Sequence, residues 1–239
     1  MKSMAIGVAL VGFGILAAAA AAEAAPRQDT YTVEHPTYGR IGTYVDTVDT
    51  AGGITRIESE LHVAVKLLGI VVYREEAQCA EVWHGDQLIW FRSIRNKNGE
   101  ESKIRGEALP DRFMVTAPYG TSSAPIDVLP SEPWALRHAG KGTVVSTASG
   151  KIVPVAASGG DPEVVSVQGH PIPVRHFVVD TPTVDHKWEI WFGSGGVPIK
   201  FRSIESGDPI DFVLTTPPPP DARFPFGLDI AAAVSLDDR

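Results

Sequence analysis

The side chains able to do chemistry are few, and their spacing can be weighed class by class. Seven histidines occur, His35, His62, His84, His138, His170, His176 and His186. Zinc needs three or four ligands, commonly supplied by close pairs on one strand or helix. No His-x-His or His-x-x-x-His is present, and proline breaks the stretch between His170 and His176, so the histidines predict no metal site. Cys79 is the single cysteine and has no histidine or basic cluster beside it. Glu75, Glu76 and Glu81 disfavour a thiolate there, so Cys79 is expected to be a small strand residue without a disulfide partner. Ser194 between Gly193 and Gly195, and Ser146 and Ser149, do not sit in a strand–turn–helix elbow of the serine hydrolase kind. The glycines lead into strands rather than opening a helix, which leaves no phosphate-binding loop. Carboxylate pairs for glycoside cleavage stay open, because spacing along a sheet does not fix the carboxyl separation. No nucleophile, base and oxyanion donor assemble, so the expectation is no catalytic residue, no cofactor and a protein that is not an enzyme.

Glutamate and arginine recur in step. Glu81-Val82-Trp83 precedes Phe91-Arg92-Ser93-Ile94, and Glu189-Ile190-Trp191 precedes Phe201-Arg202-Ser203-Ile204. Recurrence in both halves points to register-setting pairs, Glu81 with Arg92 and Glu189 with Arg202, worth about 0.2–1 kcal/mol each. Further on, Phe113-Met114-Val115-Thr116 is echoed by Phe212-Val213-Leu214-Thr215. The order of these motifs predicts an internal duplication with halves near 54–118 and 164–217.

The elements that must carry these residues are strands. Ile57, Leu61, Val63, Val65 and Leu67 alternate with Arg56, Glu58, Glu60, His62 and Lys66, the period of two that belongs to a half-buried antiparallel strand. Turn residues divide the chain at Ala51-Gly52-Gly53, Gly85-Asp86, Asn98-Gly99, Ser149-Gly150, Gly159-Gly160, Gly195-Gly196 and Gly207-Asp208. The resulting expectation is an all-β fold, an antiparallel meander forming a strongly curved sheet, half-barrel or sandwich from two similar repeats. One short helix is predicted near 131–138, where Ser131 and Pro133 cap and start it. Pro217 to Pro220 form an extended stretch unable to join a central strand, and 228–236 is either a terminal helix or a frayed end.

On strand alternation Trp188, Ile190 and Phe192 share one face and Trp191 and Glu189 the other. Large apolar groups on both faces mean a sheet covered on both sides or one that encloses something. Leu61, Val63, Val65, Trp188, Ile190 and Phe192 are the candidate lining of an apolar cavity.

The N-terminus bears on compartment. Lys2, an apolar run from Ala5 to Ala22 and Ala22-Glu23-Ala24 form a secretory signal with cleavage expected after Ala24. This predicts a periplasmic or secreted protein with no stable membrane span after cleavage, one β domain over 25–220 and a tail over 221–239. The net charge of −8 and the lack of clustered Lys and Arg argue against nucleic-acid binding.

The stretches Thr37–Val48 and Glu60–Glu76, with the two Trp/Phe-Arg-Ser hairpins, resemble a family of exported bacterial proteins known as a domain of unknown function. The likeness runs from about Thr30 to Pro217, implies a periplasmic β protein, and supplies no catalytic residue. More distantly, Pro173-Val174-Arg175, Trp188 to Trp191 and Val197 to Arg202 are similar to families with the open half-barrel of outer-membrane lipoprotein carriers. That second resemblance implies a cavity for acyl chains, by fold analogy alone. Two functions follow as expectations. One is a carrier or binding module for an apolar or lipid ligand. The other is a non-enzymatic cell-envelope interaction or structural protein, docking through Pro217 to Pro220 and the tail.

Overall fold

Alternating apolar residues separated by turn residues produce strands almost throughout. The computed structural model describes residues 25–137, 140–181, 186–205, 207–220 and 222–224. The N-terminal segment expected to be a signal, His138 and nearly all of the tail therefore lie outside the described residues. The strands are β1 (Arg27–His35), β2 (Gly39–Ala51), β3 (Ile54–Leu67), β4 (Ile70–His84), β5 (Gln87–Lys97), β6 (Glu100–Ala108), β7 (Phe113–Ala117) and β8 (Gly120–Ala124). There follow β9 (Leu129–Pro130), β10 (Gly140–Val145), β11 (Ile152–Val167), β12 (His170–Asp180), β13 (His186–Phe192), β14 (Pro198–Glu205) and β15 (Asp208–Leu214).

All fifteen join one sheet in the order β8-β7-β6-β5-β4-β3-β2-β1-β15-β14-β13-β12-β11-β10-β9. Each of these neighbours pairs antiparallel except β9 with β10. The chain thus runs outward from β1 to one edge, crosses to the far edge, and returns until β15 pairs with β1. The curved sheet is not closed, since β8 and β9 remain its edges. Of the sheet arrangements open to the sequence, a single half-barrel-like sheet is the one adopted.

One face of this sheet is the core. Tyr31, Val33, Ile57, Trp83, Phe91, Phe113, Phe177, Ile190 and Ile199 are all essentially buried and belong to one apolar cluster. The short helix expected near 131–138 is a 3-10 turn, Ala135–Arg137. It belongs to a segment that crosses the inner face and plugs it with Trp134, which is fully buried. Phe91 and Phe113 stack 6.0 Å apart over Gly106, where a Cβ would come within 2.3 Å of both rings. A glycine is needed at that close approach.

Two expectations about the turns and repeats are corrected. Gly159-Gly160 is not a hairpin turn. It lies within β11 as a bulge against β12, with φ near +100° at both glycines, and the Gly159 backbone abuts the His176 carbonyl too closely for a Cβ. The two halves also differ in strand count. Between its Phe-Arg-Ser-Ile strand and its later Phe strand the first half inserts β6, whereas β14 leads directly to β15. Among the described residues no helix is long and apolar enough to cross a membrane.

Candidate functional site

Three regions carry polar or recessed features, and they follow from which face each strand presents. The six residues expected to line a cavity all belong to the core or pack against it. Val63, Val65, Ile190 and Phe192 are buried, and Leu61 and Trp188 are half-buried against the same cluster. Beside the 131–137 segment, among the described residues, lies a cleft of about 610 Å³. Its floor comes from Leu88, Val128, Leu136, Val155 and Val179, and its rim carries His84, Asp86, Asp127 and Lys141. None of the six expected residues lines it. The cleft forms where the β4–β5 turn approaches β10, β11 and β12, a juxtaposition of segments far apart in sequence.

The second region is a buried polar row. Asp29, Asp46, Ser59, Cys79 and Ser93 are consecutive cross-strand partners on β1, β2, β3, β4 and β5. All five side chains are buried. Two residues beyond Cys79, Glu81 is 2% exposed, and its Oε2 accepts hydrogen bonds from Trp83 Nε1 at 2.8 Å and Trp134 Nε1 at 3.1 Å. From the plug, Glu132 accepts from Tyr44 Oη at 3.0 Å and from Thr147 Oγ1 at 2.7 Å. The plug is therefore tied to the sheet twice, by a carboxyl group on each side.

Carboxyls and a thiol share this interior at the expense of their charged forms. Burial, reinforced by Glu132, pushes the Asp46 carboxyl well above the usual carboxylate range. Burial also raises Glu132, against the opposing hydrogen bonds from Thr147 and Tyr44. The Cys79 thiol is driven well up by burial and then by Glu132, Glu81 and Asp46, so it is an inert thiol in this state. The sequence expectation that neighbouring glutamates disfavour a thiolate holds for Glu81, joined by Asp46 and Glu132 from elsewhere in the chain.

The third region lies on the outer face. Trp191 stacks on His176 with ring centroids 4.2 Å apart and donates its Nε1 hydrogen to Glu163 Oε2 at 2.7 Å. Lys200 lies 4.7 Å from the same indole. Glu189 faces Arg202 directly across β13 and β14, with Nη1 to Oε2 at 3.7 Å, as the recurrence predicted. Arg202 also holds Asp211, and this pairing keeps the Asp211 carboxyl below its ordinary range despite burial.

The companion pair, Glu81 with Arg92, does not form. Glu81 faces Phe91 and turns inward, while Arg92 faces Ala80 and turns to solvent. Sequence reasoning also missed Asp46, Glu132 and Ser59. Their available signal was parity, since Asp46 sits in phase with Tyr44 and Val48, and Ser59 in phase with Ile57 and Val63. Polar residues on an apolar parity mark either a buried site or an error of phase.

Residues 38–215 match the family described as a domain of unknown function (DUF6134). No curated protein matches the chain. Among solved structures, the chain is similar to a β-barrel-like protein of the domain of unknown function DUF1849 from Brucella abortus. The TM-score is 0.59 at 11% identity, over 79% of this chain and 95% of that one. At that identity the likeness shows a shared β-barrel-like fold. The match over most of the sheet, from the turn before β2 to the end of β15, places this chain in the DUF6134 family.

Proposed function

We propose that this protein is a non-enzymatic binding module of the periplasm whose cleft takes a small amphipathic ligand with an apolar body. The cleft carries the reading. Its volume of about 610 Å³ is that of a small-molecule site, with an aliphatic floor and a rim holding both charge signs. The leader-like N-terminus supports an exported location. The ligand seat is the cleft rather than the inner sheet face, because Trp134 occupies that face.

The test is titration of the purified protein with medium-chain fatty acids and with lysophospholipid, followed by calorimetry. Ala157 lines the cleft and is half-buried, so Ala157→Phe should fill it and weaken binding at least tenfold. Val164→Ser, at an exposed residue of β11 that does not line the cleft, should leave binding unchanged. Absence of binding by the wild-type protein, or equal binding by Ala157→Phe, would remove the reading.

A second reading, a cell-envelope interaction protein, is favoured by one surface feature. The β3–β4 hairpin extends beyond the last pairings of its neighbours β2 and β5, at Val63 and Glu75. Its tip exposes Leu67, Leu68, Ile70, Val71 and Val72, with Leu68 fully exposed at φ +52°. A leucine in the left-handed region of a tight turn is held there at a conformational cost. Lys66 and Arg74 flank the tip, the arrangement of a segment that dips into an anionic bilayer surface. This tip, rather than Pro217 to Pro220, is then the contact element. Sedimentation with phosphatidylglycerol vesicles that is lost in Leu68→Asp would support it, and unchanged sedimentation would remove it.

A further inference from the structure

We infer that the buried cluster of Cys79, Glu81 and Glu132 is a binding site for a divalent cation of the zinc class, one that pins the plug segment to the sheet. The Cys79 sulfur and one carboxyl oxygen each from Glu81 and Glu132 lie within 4.8 Å of one another. Thiolate and carboxylate are zinc ligands, and three protein ligands with a water completing the tetrahedron is a common zinc arrangement. Cys79 and Glu81 are two apart on β4, so both project from one face, and Glu132 reaches them from the opposite layer.

An acidic cluster alone would not establish a site. The independent observation is the state of its neighbours. Asp46 is 1% exposed, yet its Oδ1 has no hydrogen-bond partner. Ser59, between Asp46 and Cys79 in the cross-strand row, is 4% exposed, and its Oγ lies near the Asp46 carboxyl and the Tyr44 hydroxyl without reaching hydrogen-bond geometry. Buried polar atoms left unpaired are costly and call for an ion or an ordered water. Asp46 lies within the electrostatic reach of both Glu132 and Cys79. Three carboxyls and a thiol gathered between the sheet and the plug, with Glu132 part-buried and the others buried, are compensated by a doubly charged cation, with Asp46 as the outer carboxylate beside it.

The consequence is structural. Of the proposed ligands, two come from the sheet and one from the plug, so the ion would join layers that otherwise meet through the Tyr44–Glu132 and Trp134–Glu81 hydrogen bonds. Metal binding would displace the thiol proton to solvent and add its free energy to folding.

The test uses the full chain, unfolded and refolded under a non-thiol reductant with Zn²⁺ or Co²⁺ supplied. The expected result is one zinc per chain after dialysis and, with cobalt, a near-ultraviolet thiolate-to-cobalt charge-transfer band. Cys79→Ser should abolish that band, and Glu132→Gln should weaken zinc at least tenfold while the fold persists by circular dichroism. The cobalt band is read on the wild-type chain itself, so a variant that fails to fold does not obscure the outcome. A refolded wild-type chain without bound zinc, or zinc retained equally by Cys79→Ser, would overturn the inference. The cluster would then be a hydrogen-bonded network of protonated acids. Ligand binding in the cleft is measured separately and does not depend on this result.

Discussion

The same tripeptide frame, Glu-x-Trp, occurs in β4 and in β13 and ends on opposite faces of the same sheet. Glu81 and Trp83 turn inward and are buried, while Glu189 and Trp191 turn to the outer face, where Trp191 is covered by His176, Lys200 and Arg202. The following Phe-Arg-Ser strands do not differ in this way. Phe91 and Phe201 both face the core, and Arg92 and Arg202 both face away from it. The cause is a one-residue difference in register. Glu81 pairs with Phe91, whereas Glu189 pairs with the residue after Phe201, and each hairpin absorbs its slip in a bulge near the turn. A slip of one exchanges every side chain between faces. The lesson is that a repeated motif need not repeat its environment. An identical carboxylate becomes a buried acceptor for two indoles in one half and a part-buried ion-pair partner in the other.

The largest test of this contrast is removal of each glutamate. Glu81→Ala strands two buried indole donors and should cost about 2–6 kcal/mol, at roughly 1–3 for each. Glu189→Ala should cost about 1 kcal/mol, because its ion-pair partners Lys187 and Arg202 are 40% and 30% exposed and water can replace the carboxylate. Urea unfolding of both variants checks this, and equal losses would break the comparison. The phenylalanines should behave alike where the glutamates differ. Phe91→Ala and Phe201→Ala should each cost about 3–5 kcal/mol, because both rings are core. A small loss at Phe201 would mean that the second half packs more loosely than the first.

The tryptophans give a finer reading. Trp83→Phe leaves Glu81 with one fewer donor in the core and should cost about 1–3 kcal/mol by chemical denaturation. Trp191→Phe removes a hydrogen bond from an indole that is 6% exposed to a carboxylate that stays 44% exposed, so water can replace the lost donor and the cost should be about 1 kcal/mol. The smallest effects are in pH dependence, where the two faces should have opposite signs. Asp211 is held below its ordinary range, so it contributes stability above its unfolded value of 3.8 that is lost as pH falls through the lower folded value. Asp46 is raised by burial, so its ionisation costs stability as pH rises above 3.8. Relative to wild type, Asp211→Asn should therefore lose ground as pH rises from about 3 to 5, and Asp46→Asn should gain it. Thermal melts across that range distinguish the two, and slopes of the same sign would contradict the face assignment.

Much of this architecture was legible in residue order. The alternation in 54–67 and the glycine turns at 52–53, 85 and 98–99 define the first hairpins as they fold. They do so because strand parity and positive φ are local requirements. The Glu189–Arg202 pair was legible for the same reason. The Glu81–Arg92 pair was not, since bulge position depends on how Trp83 and Leu88 pack. Gly159-Gly160 reads locally as a turn, and only its pairing with β12 makes it a bulge. The cleft could not be read at all, because its walls come from the β4–β5 turn and from β10 to β12.

What the sequence determined by itself is the strand content, the antiparallel order and the apolar parity of each strand, all consequences of φ/ψ preference and of burying one face. What the tertiary structure decided is which polar residues share that buried face. Asp46, Cys79 and Glu81 are brought together by register across β2, β3 and β4, and Glu132 is delivered to them by a segment from between the two halves. Burial and proximity set the protonation of those groups, and both are properties of the folded sheet, not of any stretch of chain.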